Sequence, residues 1–307
     1  MYVTFFGSRG SYPISDAAQR QFGGHTTCFY VRTDSGEHII IDAGTGIRRL
    51  GKQLMAEEFG EGRGEAHLFF THTHWDHIMG FPYFTPIYIP GTKLSVYGPV
   101  TFEDDPLEDV VGGQMKYRYF PVNVGELASD ITYIRLQENP SIDLGNGLTL
   151  ATKILNHPIT ALGYRFTYKG KMICTCYDTE PFRNLFITDP DHPEYDEAMA
   201  YEGKLVAEEQ NKVIESFFAG ADLLIHDAQY TEEEYVTKKG WGHTSIEYTI
   251  GAANRAGVKK LALFHHDPER TDAQIDELAK TYCQPGRFGK TDVFFAREGM
   301  EIDVFND

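Results

Sequence analysis

The stretch Thr71-His72-Thr73-His74-Trp75-Asp76-His77 places four metal-binding side chains within six positions, directly after the apolar residues 68–70. Imidazole nitrogens suit zinc and related ions, and a carboxylate adds a harder ligand. In a loop that follows a strand, the first two histidines can face one ion, while the aspartate and the third histidine turn towards a second. The alternative is a solvated polar turn with incidental histidines, but packing hardly explains four such residues so close together. The stretch therefore predicts a metal site at the end of a strand.

The sequence on both sides of this stretch alternates short apolar runs with turn residues, which is typical of an α/β fold. Strands are predicted at 1–6, 29–32, 39–42, 68–71, 94–97, 148–154, 163–168, 172–176, 223–226, 261–264, 292–295 and 301–305. Helices are predicted at 47–58, 204–218, 245–256 and 272–282. Because no repeat or flexible linker divides the chain, we expect one domain over residues 1–307, with insertions at 101–144 and 181–203.

The composition excludes several classes of protein. The 307 residues include 28 Lys and Arg against 45 Asp and Glu, which gives a formal net charge of −17. A chain of this sign repels polyanions at long range, which argues against a nucleic-acid scaffold and against binding to anionic membranes. No apolar run approaches the roughly 20 residues that span a bilayer. Since the N-terminus lacks a basic leader and the chain has only four cysteines, we expect a cytoplasmic protein with reduced thiols.

The spacing His72-x-His74-x-Asp76-His77 resembles the signature of the metallo-β-lactamase superfamily. Further segments resemble other motifs of this superfamily in the same order, and the one around the third histidine resembles the RNase Z-like and phosphodiesterase branch. These segments are Asp42-Ala43-Gly44-Thr45-Gly46, Asn156-His157-Pro158, Tyr177-Asp178-Thr179 and 261–265. The resemblance covers nearly the whole chain. It implies an α/β fold of the metallo-β-lactamase type, a four-layer αβ/βα sandwich.

The resemblance also implies a centre for two divalent metal ions, with zinc as the first expectation and manganese or iron as alternatives. Seven side chains correspond to the ligands of this centre. One ion would be held by His72, His74 and His157, the other by Asp76, His77 and His265, and Asp178 would bridge them. His266 competes with His265 for the last position. We prefer His265, because it directly follows the predicted strand.

An acidic residue after a late strand and a histidine before a helix resemble the catalytic pair of RNase Z-type enzymes. They are Asp227, after the apolar residues 223–225, and His243. The resemblance implies that a hydroxide activated by two metals attacks phosphorus and that Asp76 orients this hydroxide. His243, oriented by Asp227, would either donate to the phosphoryl oxygen or protonate the leaving group. The alternative is a structural role, with His243 in a capping loop and Asp227 as its partner.

The charge of the sequence indicates which class of substrate to expect. Residues 178–235 contain 16 acidic and 3 basic residues, and we find no basic arm for gripping a large polyanion. We therefore expect a metal-dependent phosphodiesterase that hydrolyses a small phosphodiester, with neither a long nucleic acid nor a membrane as a partner. The segments 7–11 and Phe264–Pro268 resemble the cyclic-nucleotide phosphodiesterase branch, which implies that this substrate is a 3′,5′-cyclic nucleotide. A tRNA 3′ endonuclease of the RNase Z type, or another nuclease, is the alternative among enzymes. A non-catalytic metal-binding scaffold is the alternative from another class, and the resemblance is compatible with a homodimer.

Overall fold

Two seven-stranded β-sheets form the centre of the protein in the computed structural model, which describes residues 1–306. The strands are β1 (Tyr2–Gly7), β2 (Cys28–Arg32), β3 (His38–Ile41), β4 (Glu65–Phe69), β5 (Lys93–Pro99), β6 (Asp130–Leu136), β7 (Asn139–Gly145), β8 (Leu148–Leu155), β9 (Ala161–Tyr168), β10 (Lys171–Cys176), β11 (Leu223–Asp227), β12 (Lys260–Phe264), β13 (Asp292–Phe295) and β14 (Glu301–Asp303). The first sheet has the order β14-β1-β2-β3-β4-β5-β6, and the second has the order β13-β12-β11-β10-β9-β8-β7. Apart from β14, each sheet is therefore built from one half of the chain.

Each sheet combines a parallel part with an antiparallel part. The strands β3 to β6 pair in parallel in the first sheet, and β10 to β13 pair in parallel in the second. The remaining neighbours, including β8 with β9 and β9 with β10, are antiparallel. The carboxyl ends of the parallel strands therefore meet at one edge of each sheet, which is where α/β folds usually carry their binding sites.

Helices connect the strands of the two sheets, and most of them pack on the outer face of a sheet. They are α1 (Ile47–Leu54), α2 (Trp75–Ile78), α3 (Leu107–Gly112), α4 (Glu197–Phe217), α5 (Glu232–Tyr235), α6 (Ile246–Arg255) and α7 (Asp272–Tyr282). One buried apolar cluster lies between the sheets and includes Phe29 and Phe166. A second joins the first sheet to α1 and α3, and a third joins the second sheet to α6 and α7. These layers confirm the predicted four-layer αβ/βα sandwich.

Two helices differ in length from the sequence prediction. α1 begins at Ile47 as predicted but ends at Leu54, and nearby Glu57 adopts an extended backbone that a continuing helix does not allow (φ −113°, ψ −158°). α4 begins at Glu197, well before the predicted position 204, because the side chain of Asp196 accepts a hydrogen bond from the backbone N–H of Met199. The first turns of α4 therefore lie inside the acidic segment 181–203.

The segment 101–144 contributes to both sheets. It contains β6 at the edge of the first sheet and most of β7 at the edge of the second, and the chain crosses between the sheets here. The organisation as one domain with insertions at 101–144 and 181–203 stays a prediction. The four cysteines are free, as expected. Among residues 1–306, no helix has both the length and the apolar character needed to cross a membrane.

The candidate site residues follow strand ends at one edge of the sandwich. Asp42 comes after β3, residues 72–77 after β4, His157 after β8, Asp178 after β10 and His265 after β12, and Asp227 is the last residue of β11. Hydrogen bonds between the sheets hold this edge together. The Tyr164 hydroxyl donates to the carbonyl of Phe70 at 2.5 Å, and the N–H of Leu162 donates to the carbonyl of Thr71 at 2.9 Å. The topology therefore brings side chains from both halves of the chain to one place.

Candidate metal centre

The first group of candidate ligands consists of three histidines and one carboxylate. Its members are His72, His74, His157 and Asp178, whose ligand atoms all lie within 4.8 Å of one another. His74 Nδ1 is 3.0 Å from His72 Nε2 and 3.2 Å from His157 Nε2. Burial lowers the pKa of His157 to about 4 and that of His72 well below its usual range. Both imidazoles are therefore neutral at pH 7, which is the form that binds metals.

The second group shares Asp178 with the first. It consists of Asp76, His77, Asp178 and His265, again with ligand atoms within 4.8 Å of one another, and all four side chains are buried. His77 Nε2 is 3.3 Å from both Asp76 Oδ2 and Asp178 Oδ2, and His265 Nε2 is 3.2 Å from Asp76 Oδ2. The structure thus brings all seven predicted ligands together in two adjacent groups.

Two buried atoms at this site lack hydrogen-bond partners. Such atoms indicate that the site is suited to binding metal ions. They are His77 Nε2 and Asp178 Oδ1, and both point into the cluster of donors. Leaving such atoms unpaired costs about 1–3 kcal/mol each. Burial lowers the pKa of His77, but the charges of Asp178, Asp76 and Asp42 outweigh this effect and raise that pKa well above its usual range. A buried site with several carboxylates and unpaired donors is suited to divalent cations.

Residues behind the donors fix the orientation of the rings. Asp42 accepts hydrogen bonds from His77 Nδ1 and the Tyr177 hydroxyl, both at 2.7 Å, so that His77 Nε2 faces the cluster. His265 Nδ1 donates to Gln229 Oε1 at 3.2 Å, and His157 Nδ1 donates to the carbonyl of Gly242 at 3.1 Å. Such contacts set the tautomer and direction of metal-binding histidines. Sequence reasoning noted the motif that contains Asp42 but gave this residue no role.

The backbone is strained where it delivers ligands. Asp178 and His265 have φ values of 54° and 60°, and Asp42, which orients His77, has a φ of 58°. The left-handed region is unfavourable for residues other than glycine, although aspartate tolerates it better than most. Asp42 and His265 directly follow strand ends, and Asp178 lies two residues after the end of β10. Strained residues of this kind cluster at functional sites, because the surrounding structure holds a side chain in a required direction.

His265 and His266 have different environments. His265 lies in the second donor group, whereas His266 Nε2 donates to the carbonyl of Ala296 at 2.7 Å. Complete burial lowers the pKa of His266 to about 3. The partner of His266 is therefore a backbone carbonyl, and its side chain does not join the cluster.

Asp227 and His243 form a hydrogen-bonded pair beside the metal ligands. His243 Nδ1 donates to Asp227 Oδ2 at 2.7 Å, and Asp227 Oδ1 accepts from the backbone N–H of Thr244 at 3.0 Å. The His243 ring stacks on the His265 ring with 4.8 Å between centroids. Burial lowers the pKa of His243, but the charge and hydrogen bond of Asp227 raise it to about 9. His243 is therefore protonated at pH 7 and can donate a proton from Nε2.

Glu180 is a buried carboxylate that sequence reasoning missed. Its two oxygens accept hydrogen bonds from the Tyr235 hydroxyl at 2.8 Å, from the N–H of Gly240 at 2.8 and 2.9 Å, and from the N–H of Gly242 at 3.2 Å. Since the carbonyl of Gly242 orients His157, Glu180 connects the loop before His243 to the first donor group. Its position two residues after Asp178 was the available signal, but burial of a glutamate is not readable from a sequence.

Replacement of Glu180 by glutamine tests this connection. The amide group has one acceptor oxygen, and its NH₂ would face N–H donors, so we expect the loop to shift and kcat to fall about tenfold. The free energy of unfolding should fall by about 1–3 kcal/mol, measured by urea denaturation. The solvent-exposed Glu194→Gln variant is the control. If Glu180→Gln keeps the wild-type kcat, Glu180 does not position the site.

Comparison with known proteins agrees with this geometry. The family model described as metallo-beta-lactamase superfamily matches residues 22–171. Ribonuclease Z from Lactococcus lactis subsp. lactis (strain IL1403) is 30% identical over 244 residues, which cover 69% of this chain and 74% of the relative. Ribonuclease Z from Haloarcula marismortui is 27% identical over 337 residues, which cover 99% of this chain and 97% of the relative. The crystal structure of human tRNase Z, short form, covers 99% of both chains with a TM-score of 0.59 at 20% identity, and supports the fold alone.

These relatives contradict one expectation from composition. The net charge of −17 argues against a long nucleic acid as a partner, yet relatives that align with nearly the whole chain are named as ribonucleases. The expectation was wrong because net charge describes the long-range field of a protein. A phosphate group responds to the charges at the site that binds it, and bound metal ions can invert the local field.

Three observations agree on the family of this chain. The fold is the four-layer sandwich, the predicted ligands converge on one buried cluster, and one relative is 30% identical over most of its length. The protein therefore belongs to the metallo-beta-lactamase superfamily of metal-dependent hydrolases.

Proposed function

We propose that the protein is a phosphodiesterase with two metal ions that cleaves RNA, as a tRNA 3′ endonuclease of the ribonuclease Z type. One observation carries this proposal. His243, which is hydrogen-bonded to Asp227, stacks its ring on that of His265, a member of the second donor group. This arrangement combines a cation site with a proton donor, and hydrolysis of a phosphodiester needs both. The names of the relatives support RNA as the substrate class.

Seven side chains would hold the metal ions. His72, His74 and His157 are assigned to one ion and Asp76, His77 and His265 to the other, and Asp178 is assigned to both. Three histidines suit zinc best, and manganese and iron remain alternatives for the same donors. When bound, two such ions polarise a phosphoryl group and lower the pKa of water.

The remaining steps belong to side chains of the protein. Asp76 Oδ2 accepts a hydrogen bond from the N–H of Ser11 at 2.7 Å, which fixes the carboxylate that orients the attacking water and accepts its proton. As the water oxygen bonds to phosphorus, the bond from phosphorus to the leaving oxygen breaks. His243 Nε2 gives its proton to that leaving oxygen, and Asp227 stabilises the charged imidazole before transfer. The products are a phosphomonoester and an alcohol.

Hydrolysis of a 3′,5′-cyclic nucleotide is the second candidate function. The observation that favours it is the acidic composition, with 16 acidic and 3 basic residues between positions 178 and 235. The same residues would perform the same chemistry on the strained ring of such a substrate. The two functions differ in what the surface around the metal centre must bind.

A comparison of substrates separates the two functions. Zinc-loaded protein is assayed with a precursor tRNA that carries a 3′ trailer, with cyclic AMP, and with bis(4-nitrophenyl) phosphate as a generic phosphodiester. We expect kcat/KM for the precursor tRNA to exceed that for cyclic AMP by about 100-fold or more. Protein stripped with EDTA should be inactive, and reloading should restore activity. Hydrolysis of cyclic AMP with intact precursor tRNA would overturn the proposed endonuclease.

A further inference from the structure

Both tryptophans of the chain are exposed and lie beside residues of the metal centre. Trp75 stands between His74 and Asp76 and is 76% exposed, and Trp241 stands two residues before His243 and is 58% exposed. Tryptophan is highly buried on average. Exposure of both indole rings next to the same centre therefore indicates a surface that contacts something other than water.

The segment that carries Trp241 is a local exception to the acidic composition. This segment, residues 236–242, is called the Lys-Trp loop here, and it contains Lys238 and Lys239 but no acidic residue. Lys238 Nζ lies 4.2 Å from the centroid of the Trp241 ring, and Lys239 is exposed. A Cβ atom on Gly240 would lie 3.5 Å from Arg183 Nη2, so a third cation borders the loop. The loop and Arg183, whose Nε lies 3.8 Å from Glu180 Oε1, thus bring three positive groups close to a flat aromatic ring.

Neighbouring carboxylates are engaged elsewhere or hold the loop in place. Glu232 accepts a hydrogen bond from the Ser245 hydroxyl, and Glu234 pairs with Arg270, both at 2.7 Å. Glu180 accepts hydrogen bonds from Gly240 and Gly242 and thereby fixes the backbone on both sides of Trp241. The loop is therefore preorganised, which lowers the entropy lost when a ligand binds.

We propose that the Lys-Trp loop and Arg183 bind a single-stranded RNA segment next to the phosphate that is cleaved. A base stacks on the exposed Trp241 ring, and the cations contact neighbouring phosphates. Aromatic rings combined with positive side chains are the usual means of holding single strands without sequence preference. The RNA strand then reaches the metal centre beside His243, which directly follows the loop in the protein sequence. This inference rests on the proposed function, because it names the surface that delivers RNA to the same site.

The experiment compares loop variants on two substrates. Removal of the ring in Trp241→Ala is expected to lower the ratio of kcat/KM for precursor tRNA to kcat/KM for bis(4-nitrophenyl) phosphate about tenfold. Trp241→Phe keeps an aromatic face and should recover most of that loss. For Lys238→Ala/Lys239→Ala, the salt dependence of binding to fluorescein-labelled precursor tRNA, followed by anisotropy, should become shallower by about 1.4 in log–log slope, because about 0.7 is lost for each phosphate contact to a single strand.

A control variant also removes two lysines, but at the end of the sandwich opposite the metal centre. Lys93→Ala/Lys169→Ala removes two exposed lysines that pair with Glu65 and Asp34, and it should keep both the wild-type ratio and the wild-type salt slope. The role of the loop would be overturned if the loop variants kept the kcat/KM ratio and the salt slope of the unmodified protein. This conclusion would hold even if the unmodified protein cleaves the RNA. Wild-type protein that hydrolyses bis(4-nitrophenyl) phosphate but neither cuts nor binds the RNA would overturn the proposed endonuclease and the loop inference together. RNA that is bound through the loop but not cut would overturn the endonuclease alone.

Discussion

Replacement of Asp178 by asparagine is expected to remove most of the bound metal from both donor groups and to lower turnover by about 10³-fold or more. Asp178 is the one residue that both groups share, and its carboxylate faces His77 and His265. Asparagine has the same shape and tolerates the left-handed backbone at this position (φ 54°), so the change removes charge while the fold is kept. Metal content is measured by inductively coupled plasma mass spectrometry, and turnover with bis(4-nitrophenyl) phosphate.

Asp222→Asn is the matched control for this variant. Asp222 is also a buried carboxylate, but it precedes β11 at the opposite end of the same sheet, where it accepts from the N–H of Met172 and pairs with Lys259. Its replacement should lower the free energy of unfolding by about 1–3 kcal/mol and leave the metal content at the wild-type value. Wild-type metal content and turnover in Asp178→Asn would contradict the shared-ligand assignment.

Replacement of His243 by alanine is expected to lower kcat for precursor tRNA by about 10²- to 10⁴-fold, because general acid catalysis contributes an effect of this size. The loss should be much smaller for bis(4-nitrophenyl) phosphate, since nitrophenolate leaves without being protonated. Metal content should stay at the wild-type value, because His243 is not among the seven proposed ligands. Asp227→Asn, which weakens the orientation and charge of His243, should cost about 10- to 100-fold on the RNA.

A histidine outside the site provides the control for His243. His67 lies in β4 and contacts the Tyr97 hydroxyl at 3.1 Å, and His67→Ala should keep the wild-type kcat on both substrates. Equal losses on RNA and on bis(4-nitrophenyl) phosphate in His243→Ala would show that His243 is not the proton donor. A raised KM with an unchanged kcat would instead show a residue that only binds the phosphate.

The position of the site could be predicted from the sequence, because its residues follow recognisable strands. Short apolar runs precede His72, Asp178 and His265, and the strand ends they predict do meet at one edge of the sandwich. The resemblance to a known family also predicted which side chains converge there. The order of the strands came from the resemblance to a known family, since pairing between distant strands is not encoded in local periodicity.

Three features could not be predicted, each for a physical reason. Burial of Glu180 depends on N–H donors more than 50 residues away along the chain, at Gly240 and Gly242. The early start of α4 depends on the cap at Asp196, inside the segment 181–203 that the sequence predicts as an insertion. The proposed substrate class rests on local charge, such as the three cations near Trp241, whereas composition gives only the sum over the chain.

A crystal structure of the zinc-loaded protein, with anomalous difference maps at the zinc edge, would show whether the two donor groups bind metal ions. We expect two peaks about 3.5–4 Å apart. One should lie among His72, His74 and His157 and the other among Asp76, His77 and His265, with Asp178 between them. A single peak, or peaks that do not contact these residues, would rule out the proposed centre for two metal ions.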